Sequence, residues 1–243
     1  MIIRHGFSTW NEKNLFTGWQ DVQLTDSGVD EAKRAAQVIK QNGFIPDVVY
    51  TSVLDRAIKT NDLLLEGLNL NNVEVHQTWL LNERHYGALT GLNKVETVEK
   101  YGEEQVLKWR RSFDIPPPPV EEGSEYDFRK DPLYSDIPNE LIPLSECLKD
   151  VCDRVQPFYV ETIVPRLLKG QNVLIVAHGN SLRSLIKDLE SLSSDEIVNF
   201  ELPTATPRKY TFNDDLTVKN ASFIEADSEV QARAAKVKAQ TSK

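Results

Sequence analysis

Short apolar runs alternate with stretches of helical periodicity along most of this 243-residue chain. Met1 to Ile3, Asp47 to Thr51, Val73 to His76 and Asn172 to Ala177 read as strands. The last run is apolar almost throughout, the signature of a strand covered on both faces. Val29, Ala32, Ala36 and Ile39 recur at intervals of three and four, and predict a helix with Thr25 as its N-cap and Gly43 as its stop. Further helices are predicted from about Leu54 to Leu68, Glu103 to Arg111 and Ser181 to Leu189. A longer one, Ser145 to Leu168, should bend or break near Pro157 and Pro165. The alternation predicts an α/β fold: a three-layer αβα sandwich with a mostly parallel central sheet.

Four consecutive prolines, Pro116 to Pro119, interrupt the pattern. Residues 112–143 are expected to leave the sandwich as a cap or lid on a single domain, 1–225. Residues 226–243, rich in Ala, Lys and Gln with few apolar anchors, are expected to form a mobile tail. The net charge of −9 disfavours nucleic acid and anionic membranes as partners, although a local arginine cluster can still hold a small anion. No apolar stretch of about 18 residues is present, nor a basic segment leading into a long apolar one, so a cytoplasmic location is expected. Cys147 and Cys152 diverge on one helix and are expected to be packing thiols. Neither a glycine-rich phosphate loop, nor a serine elbow, nor metal-ligand spacing occurs.

What remains for chemistry is histidine, arginine and glutamate. Arg4-His5-Gly6 follows the first apolar run, and Ala177-His178-Gly179 the last. Parallel strands bring their C-terminal ends to a common edge where ligands bind, so the two histidines could face one substrate or merely cap two strands. A neutral imidazole is a competent nucleophile, and Gly6 would let a ligand approach the backbone. Arg4 and Arg56 would present paired donors to an anion, with Thr51 and Ser52 supplying hydroxyls nearby. Glu83-Arg84-His85-Tyr86-Gly87 concentrates chemistry in a loop, where burial would raise Glu83 toward neutrality for proton transfer, or where the charges simply start a helix. Lys94, Arg110 and Arg111 add cationic reach, and His76 reads as an isolated surface residue.

Arg4-His5-Gly6, Asn11 to Trp19, Glu83 to Gly87, Arg110-Arg111 ahead of Pro116 to Pro119, and Ala177 to Ser181 together resemble the cofactor-dependent phosphoglycerate mutases of the histidine phosphatase superfamily. The likeness runs from Ile2 to about Phe212. It implies a glycolytic and gluconeogenic isomerase that interconverts 3-phosphoglycerate and 2-phosphoglycerate through a phosphohistidine at His5, primed by 2,3-bisphosphoglycerate, without a metal. By the same resemblance His178 stabilises the transferring group, Arg4, Arg56 and Asn180 hold it, and Glu83 is the acid/base. Ser8, Asn11, Thr17, Gly18, Arg84, Tyr86, Lys94, Arg110, Arg111 and Gly179 match ligand-binding positions. The expected partners are a small phosphorylated three-carbon acid and further copies of the chain, as a dimer or tetramer. A histidine-type phosphatase, a bisphosphoglycerate mutase or phosphatase, and an impaired anion-binding homologue are the alternatives. Two departures bear on stability. The strand before His5 is short, and Ala205 stands where relatives usually carry glycine, which would strain a backbone of positive φ.

Overall fold

The computed structural model describes residues 1–239. Its six strands are β1 (Ile2–Arg4), β2 (Val48–Thr51), β3 (Glu74–Gln77), β4 (Val173–Ala177), β5 (Arg208–Phe212) and β6 (Val218–Phe223). The helices are α1 (Thr9–Glu12), α2 (Asp26–Gln41), α3 (Asp55–Leu68), α4 (Lys94–Tyr101), α5 (Glu103–Arg111), α6 (Leu148–Phe158), α7 (Val164–Leu168), α8 (Gly179–Leu189), α9 (Ser194–Val198) and α10 (Asp227–Ala239). One sheet carries the order β3-β2-β4-β1-β5-β6, with the first four strands parallel and β5 and β6 antiparallel. The expected αβα sandwich is present, and no described helix is long and apolar enough to cross a membrane.

Alternation within the central strands explains their unbroken apolar runs. Ile2, Val48, Tyr50, Val173, Ile175 and Ala177 enter one core with α6 and α8. Ile3, Val49, Leu174 and Val176 enter a second core with Ala35, Ala36 and Ile39 of α2 and Leu64 of α3. Side chains of a strand point alternately to opposite faces, so a strand between two helical layers must be apolar at every position. The short β1 sits in the middle of the sheet: Ile2 pairs with Ile175 on one side and Arg208 on the other.

Local signals agree with the helix ends. Thr25 caps α2 by accepting the Gly28 N–H, and Gly43 follows it with φ +70°. The long helical stretch breaks as its prolines require, with a π-helical segment at Tyr159–Ile163 between α6 and α7. Periodicity does not announce β5 and β6. Arg208 and Lys209 open β5, yet Arg208 is buried, paired with Glu190 and lying over the rings of Phe200 and Phe223. Residues 112–143 fold as 3₁₀ turns, whose Phe128, Tyr134 and Ile142 surround Trp19. Of the expected tail 226–243, α10 is helical, and residues 240–243 lie outside the described residues. Cys147 and Cys152 are buried free thiols.

Ala205 adopts φ +43° with its methyl fully buried. Its N–H donates to the Arg4 carbonyl at 2.9 Å and its carbonyl accepts from Arg34 Nη2 at 3.0 Å. Arg34 and Arg233 both pair with the buried Glu225 carboxylate, and Arg233 also reaches the Thr206 hydroxyl, so this turn is clamped from α2 and α10. Left-handed geometry costs a residue with a Cβ about 1–2 kcal/mol. Ala205→Gly relieves that strain but loses about 0.8 kcal/mol of methyl burial and adds chain entropy, so it should shift stability by less than about 1 kcal/mol. Ala205→Val adds a branched side chain in the same geometry and should cost about 2–4 kcal/mol, read as the denaturant midpoint at constant m.

Candidate active site

Strand pairing brings the two histidine triplets together. Arg4 pairs with Ala177, and the His5 N–H donates to the Ala177 carbonyl at 3.0 Å. The imidazoles of His5 and His178 follow the ends of neighbouring parallel strands, with ring centroids 5.0 Å apart. Both are buried. A carbonyl can only accept, so the 2.7 Å contact from His5 Nδ1 to the Gly6 carbonyl makes Nδ1 the protonated nitrogen and leaves the Nε2 lone pair free. Burial, then Arg56 and Arg4, holds the His5 imidazolium well below the usual histidine range. His178 is depressed likewise, by burial first and Arg56 next. Its Nε2 meets the Ser52 hydroxyl at 2.7 Å, while Nδ1 is buried with no partner. Ser52 reaches it from the end of β2, the strand on the other side of β4.

The arginines around this pair are held by main-chain carbonyls. Arg56 donates to Gly18 and Gln20, Arg4 to Leu202, and Arg84 to Trp109 and Arg110. Their Nε atoms are buried without partners, and those of Arg4 and Arg56 belong to residues that line the inner hollow, where an anion could satisfy them. Gly18 presents its carbonyl to Arg56 from φ +54°, a geometry that favours glycine. Desolvation lowers Arg56 to about 10 and Arg110 to about 10, both still cationic at neutral pH. Phe16 lies beneath Lys94 and Arg110, with cation-to-ring distances of 5.9 and 5.8 Å.

Glu83 differs from the expectation. Burial pushes its carboxyl up, but the Arg84 N–H, the Asn180 amide and the Arg4 and Arg56 guanidiniums outweigh it and hold the carboxyl below the usual range. Its Oε1 accepts from the Arg84 N–H at 2.7 Å, the Asn180 N–H at 3.1 Å and Asn180 Nδ2 at 2.9 Å. In the ligand-free site Glu83 is therefore an ionised base rather than an acid. Gly6 also differs. A Cβ there would lie 2.4 Å from the Gly28 carbonyl, so the glycine admits α2 rather than a ligand.

Two adjoining hollows, of about 580 and 370 Å³, collect most of the predicted residues. Arg4, Asn11, Glu83, Tyr86 and Lys94 line both; His5, Thr17 and Arg56 line the inner one, and Arg110, Arg111, Gly179 and Asn180 the outer. His178, Ser8, Gly18 and Arg84 line neither hollow. Ser8 forms the capping box of α1 with Asn11 and so orients it. His85, despite its company, is a structural residue: its Nδ1 accepts the Gly87 N–H, and burial drops it to about 4. His76 is exposed, paired with Glu74 and stacked on Tyr50.

Sequence reasoning misses four contributors. Arg183 and Glu201 line the outer hollow. Arg183 lies three residues past Asn180 on α8, a spacing that could have placed it on the same face; nothing local marks Glu201. Arg154 and Glu146 form a buried pair beneath the loop that carries Glu83, with Arg154 donating to the Asn82 and Glu83 carbonyls and Glu146 accepting the His85 N–H.

Comparison with known proteins gives the family. The profile of the histidine phosphatase superfamily (branch 1) matches residues 1–141 and 127–222. A 2,3-bisphosphoglycerate-dependent phosphoglycerate mutase of Zymomonas mobilis is 53% identical, over 92% of this chain and 97% of the relative. One of Streptomyces avermitilis is 47% identical, over 96% and 92% respectively. Among solved structures, Bacillus stearothermophilus YhfR superposes with TM-score 0.67 at 22% identity, covering 92% of this chain and 98% of that one. A mycobacterial glucosyl-3-phosphoglycerate phosphatase complexed with VO3 gives TM-score 0.68 at 21% identity, covering 91% and 95%; both likenesses bear on the fold.

Lys94 supplies a pH test. Burial, with Arg110 and Arg4 nearby, lowers its ammonium from 10.5 to about 7. From about pH 7 to 10 the unfolded chain then holds a proton that the folded protein has released, so Lys94 makes stability rise with pH across that window. Loss of the folded ammonium as pH rises through about 7 should weaken anion binding. Thermal midpoints and sulfate affinity, measured from about pH 6 to pH 10.5 for wild type and Lys94→Met, are expected to differ most at the acid end, where the lysine costs stability and aids binding; the difference in affinity should fade once pH passes about 7, and the difference in stability only as pH approaches 10.5.

Proposed function

The chain belongs to the histidine phosphatase superfamily and, within it, to the 2,3-bisphosphoglycerate-dependent phosphoglycerate mutases, and on that footing we propose how its residues work. It interconverts 3-phosphoglycerate and 2-phosphoglycerate. His5 carries the phosphoryl group on Nε2. The observation that supports this most directly is the Nδ1–H bond to the Gly6 carbonyl, which fixes the tautomer and aims the free lone pair of a neutral imidazole away from it.

The unpartnered Nε atoms of Arg4 and Arg56, two residues that line the inner hollow, suit a bisphosphorylated primer and a phosphorylated acid alike. 2,3-Bisphosphoglycerate supplies the phosphoryl group that first loads His5. His178, Arg4, Arg56 and Asn180 then steady the equatorial oxygens during transfer, where charge is spread over them. Glu83 takes the proton of the substrate 2-hydroxyl as its oxygen forms the new P–O bond and the P–N bond to His5 breaks. In the second half, His5 accepts the 3-phosphoryl group and Glu83 returns the proton to the departing oxygen. Asn11, Thr17, Tyr86, Lys94, Arg110, Arg111 and Gly179 contact the ligand. Ser8, Gly18 and Arg84 hold those contacts in place. The cycle uses no metal ion.

Domain 1–225, its 112–143 segment acting as a cap beside the site and the 226–243 segment as a C-terminal tail complete the proposal. A cytoplasmic homo-oligomer with no nucleic-acid or membrane partner accords with the family.

Purified protein given 3-phosphoglycerate should form 2-phosphoglycerate at a rate that rises sharply with added 2,3-bisphosphoglycerate. Acid-labile phosphate should appear on wild type and vanish in His5→Ala. Glu83→Gln should lower turnover about 10²–10⁴-fold while still becoming labelled at His5. Phosphate release without 2-phosphoglycerate would instead mark a phosphatase.

A further inference from the structure

A carboxylate stands in a hollow otherwise furnished for anions. Glu201, on the segment between α9 and β5, lines the outer hollow beside Arg111 and Arg183. Its Oε1 accepts from Arg111 Nη2 at 2.8 Å. Its Oε2 is buried, lies 3.8 Å from Arg183 Nη2 and makes no hydrogen bond. The same segment ties down both guanidiniums through its backbone, because Arg111 Nη1 donates to the Val198 carbonyl at 2.7 Å and Arg183 Nε to the Phe200 carbonyl at 2.9 Å. Val198 to Glu201 therefore delivers two main-chain acceptors and one full negative charge to a pair of arginines at the mouth of the site.

A salt bridge that served the fold alone would have no need to stand in the wall of the ligand hollow. Here the carboxylate competes with ligand oxygens for the N–H groups of Arg111 and Arg183. It also repels an incoming anion in proportion to the ligand's charge. The two ligands of the proposed function differ in this respect: the bisphosphorylated primer carries one phosphate more than the phosphorylated acid.

We propose that Glu201 is a specificity-determining residue of the anion site, an internal counter-ion of Arg111 and Arg183 that discriminates against the more highly charged ligand. Without ligand it offsets one of the two arginine charges and forms part of the outer hollow's wall. With ligand it must share them, so the primer gains less from its second phosphate than the arginines alone would give it. The chain thereby holds the doubly phosphorylated species loosely enough for exchange while retaining the substrate. This inference rests on the mutase reading of the site.

Calorimetric titration of wild type and Glu201→Gln with 3-phosphoglycerate and with 2,3-bisphosphoglycerate at fixed ionic strength tests it. Glutamine keeps the shape and the oxygen that faces Arg111 but removes the charge. It should tighten the monophosphate about threefold and the bisphosphate about tenfold, and lower the half-saturating primer concentration in turnover to match. Glu201→Asn, a second neutral variant, should move both affinities in the same direction. Glu201→Asp, which keeps the charge, should retain the wild-type ratio of affinities. Equal tightening of both ligands, no change, or weaker binding by the neutral variants overturns the proposal, the last result assigning Glu201 to positioning Arg111. If the wild type binds neither ligand, the functional reading beneath it falls as well.

Discussion

Cations buried at one edge of the sheet with few carboxylates to match them are the constraint on which the rest of this structure depends. Arg56 and Arg84 are each 1% exposed. Neither is neutralised by a contacting acid; carbonyl oxygens of the loops hold their Nη groups instead. Carbonyls satisfy hydrogen bonds but only part of the charge, so the field stays strongly positive. Burial, reinforced by that field, keeps His5 neutral and lowers Lys94 to about 7, while the Arg84 N–H and the Asn180 amide, reinforced by the same field, outweigh burial and draw the proton off Glu83. The same cations thus bias the ionisation of three groups that differ in chemistry.

Such a field is useful only if its sources hold still, and the supports lie outside the hollows. Arg154 and Glu146 grip the Leu80–His85 backbone from below, with Arg154 reaching the Leu80, Asn82 and Glu83 carbonyls. On the other side, Arg34, Arg233 and Glu225 clamp the Ala205 turn, whose N–H fixes the Arg4 carbonyl one residue before His5. A left-handed alanine persists only when its surroundings over-determine it. The three-residue β1 needs no length of its own, because β4, β5 and this turn hold it from both edges.

The sandwich was legible because its signals are local. Unbroken apolar runs reported central strands, Thr25 and Gly43 reported a helix, and Pro157 and Pro165 marked the stretch that became π-helical. β5 was not legible, since its buried Arg208 reads as surface until Glu190 and three aromatic rings are known to enclose it. The same division runs through the site. His5 and His178 could be paired because parallel strands end together, and the resemblance to a known family supplied most of the remaining residues that line the hollows. Glu201 and Arg154 arrive from elements with no sequence signal of chemistry. Glu83 shows a subtler limit: burial alone predicts a raised pKa, and the Arg84 N–H, the Asn180 amide and the surrounding arginines together reverse the sign.

That reversal bears on how one carboxylate serves both directions of the proposed cycle. In the free site Glu83 is ionised and shares its positive surroundings with no ligand. An entering phosphorylated acid brings several negative charges among the same arginines, which cancels part of the field and moves the Glu83 proton affinity upward. The ligand that needs a base to attack phosphohistidine thereby prepares that base to keep the proton it takes. When the second phosphoryl group leaves, the proton is already beside the departing oxygen. Two fixed amide donors from Asn180 keep the carboxylate oriented through both steps. The pKa adjustment therefore comes from the ligand's own charge, and the protein has only to hold its cations in place.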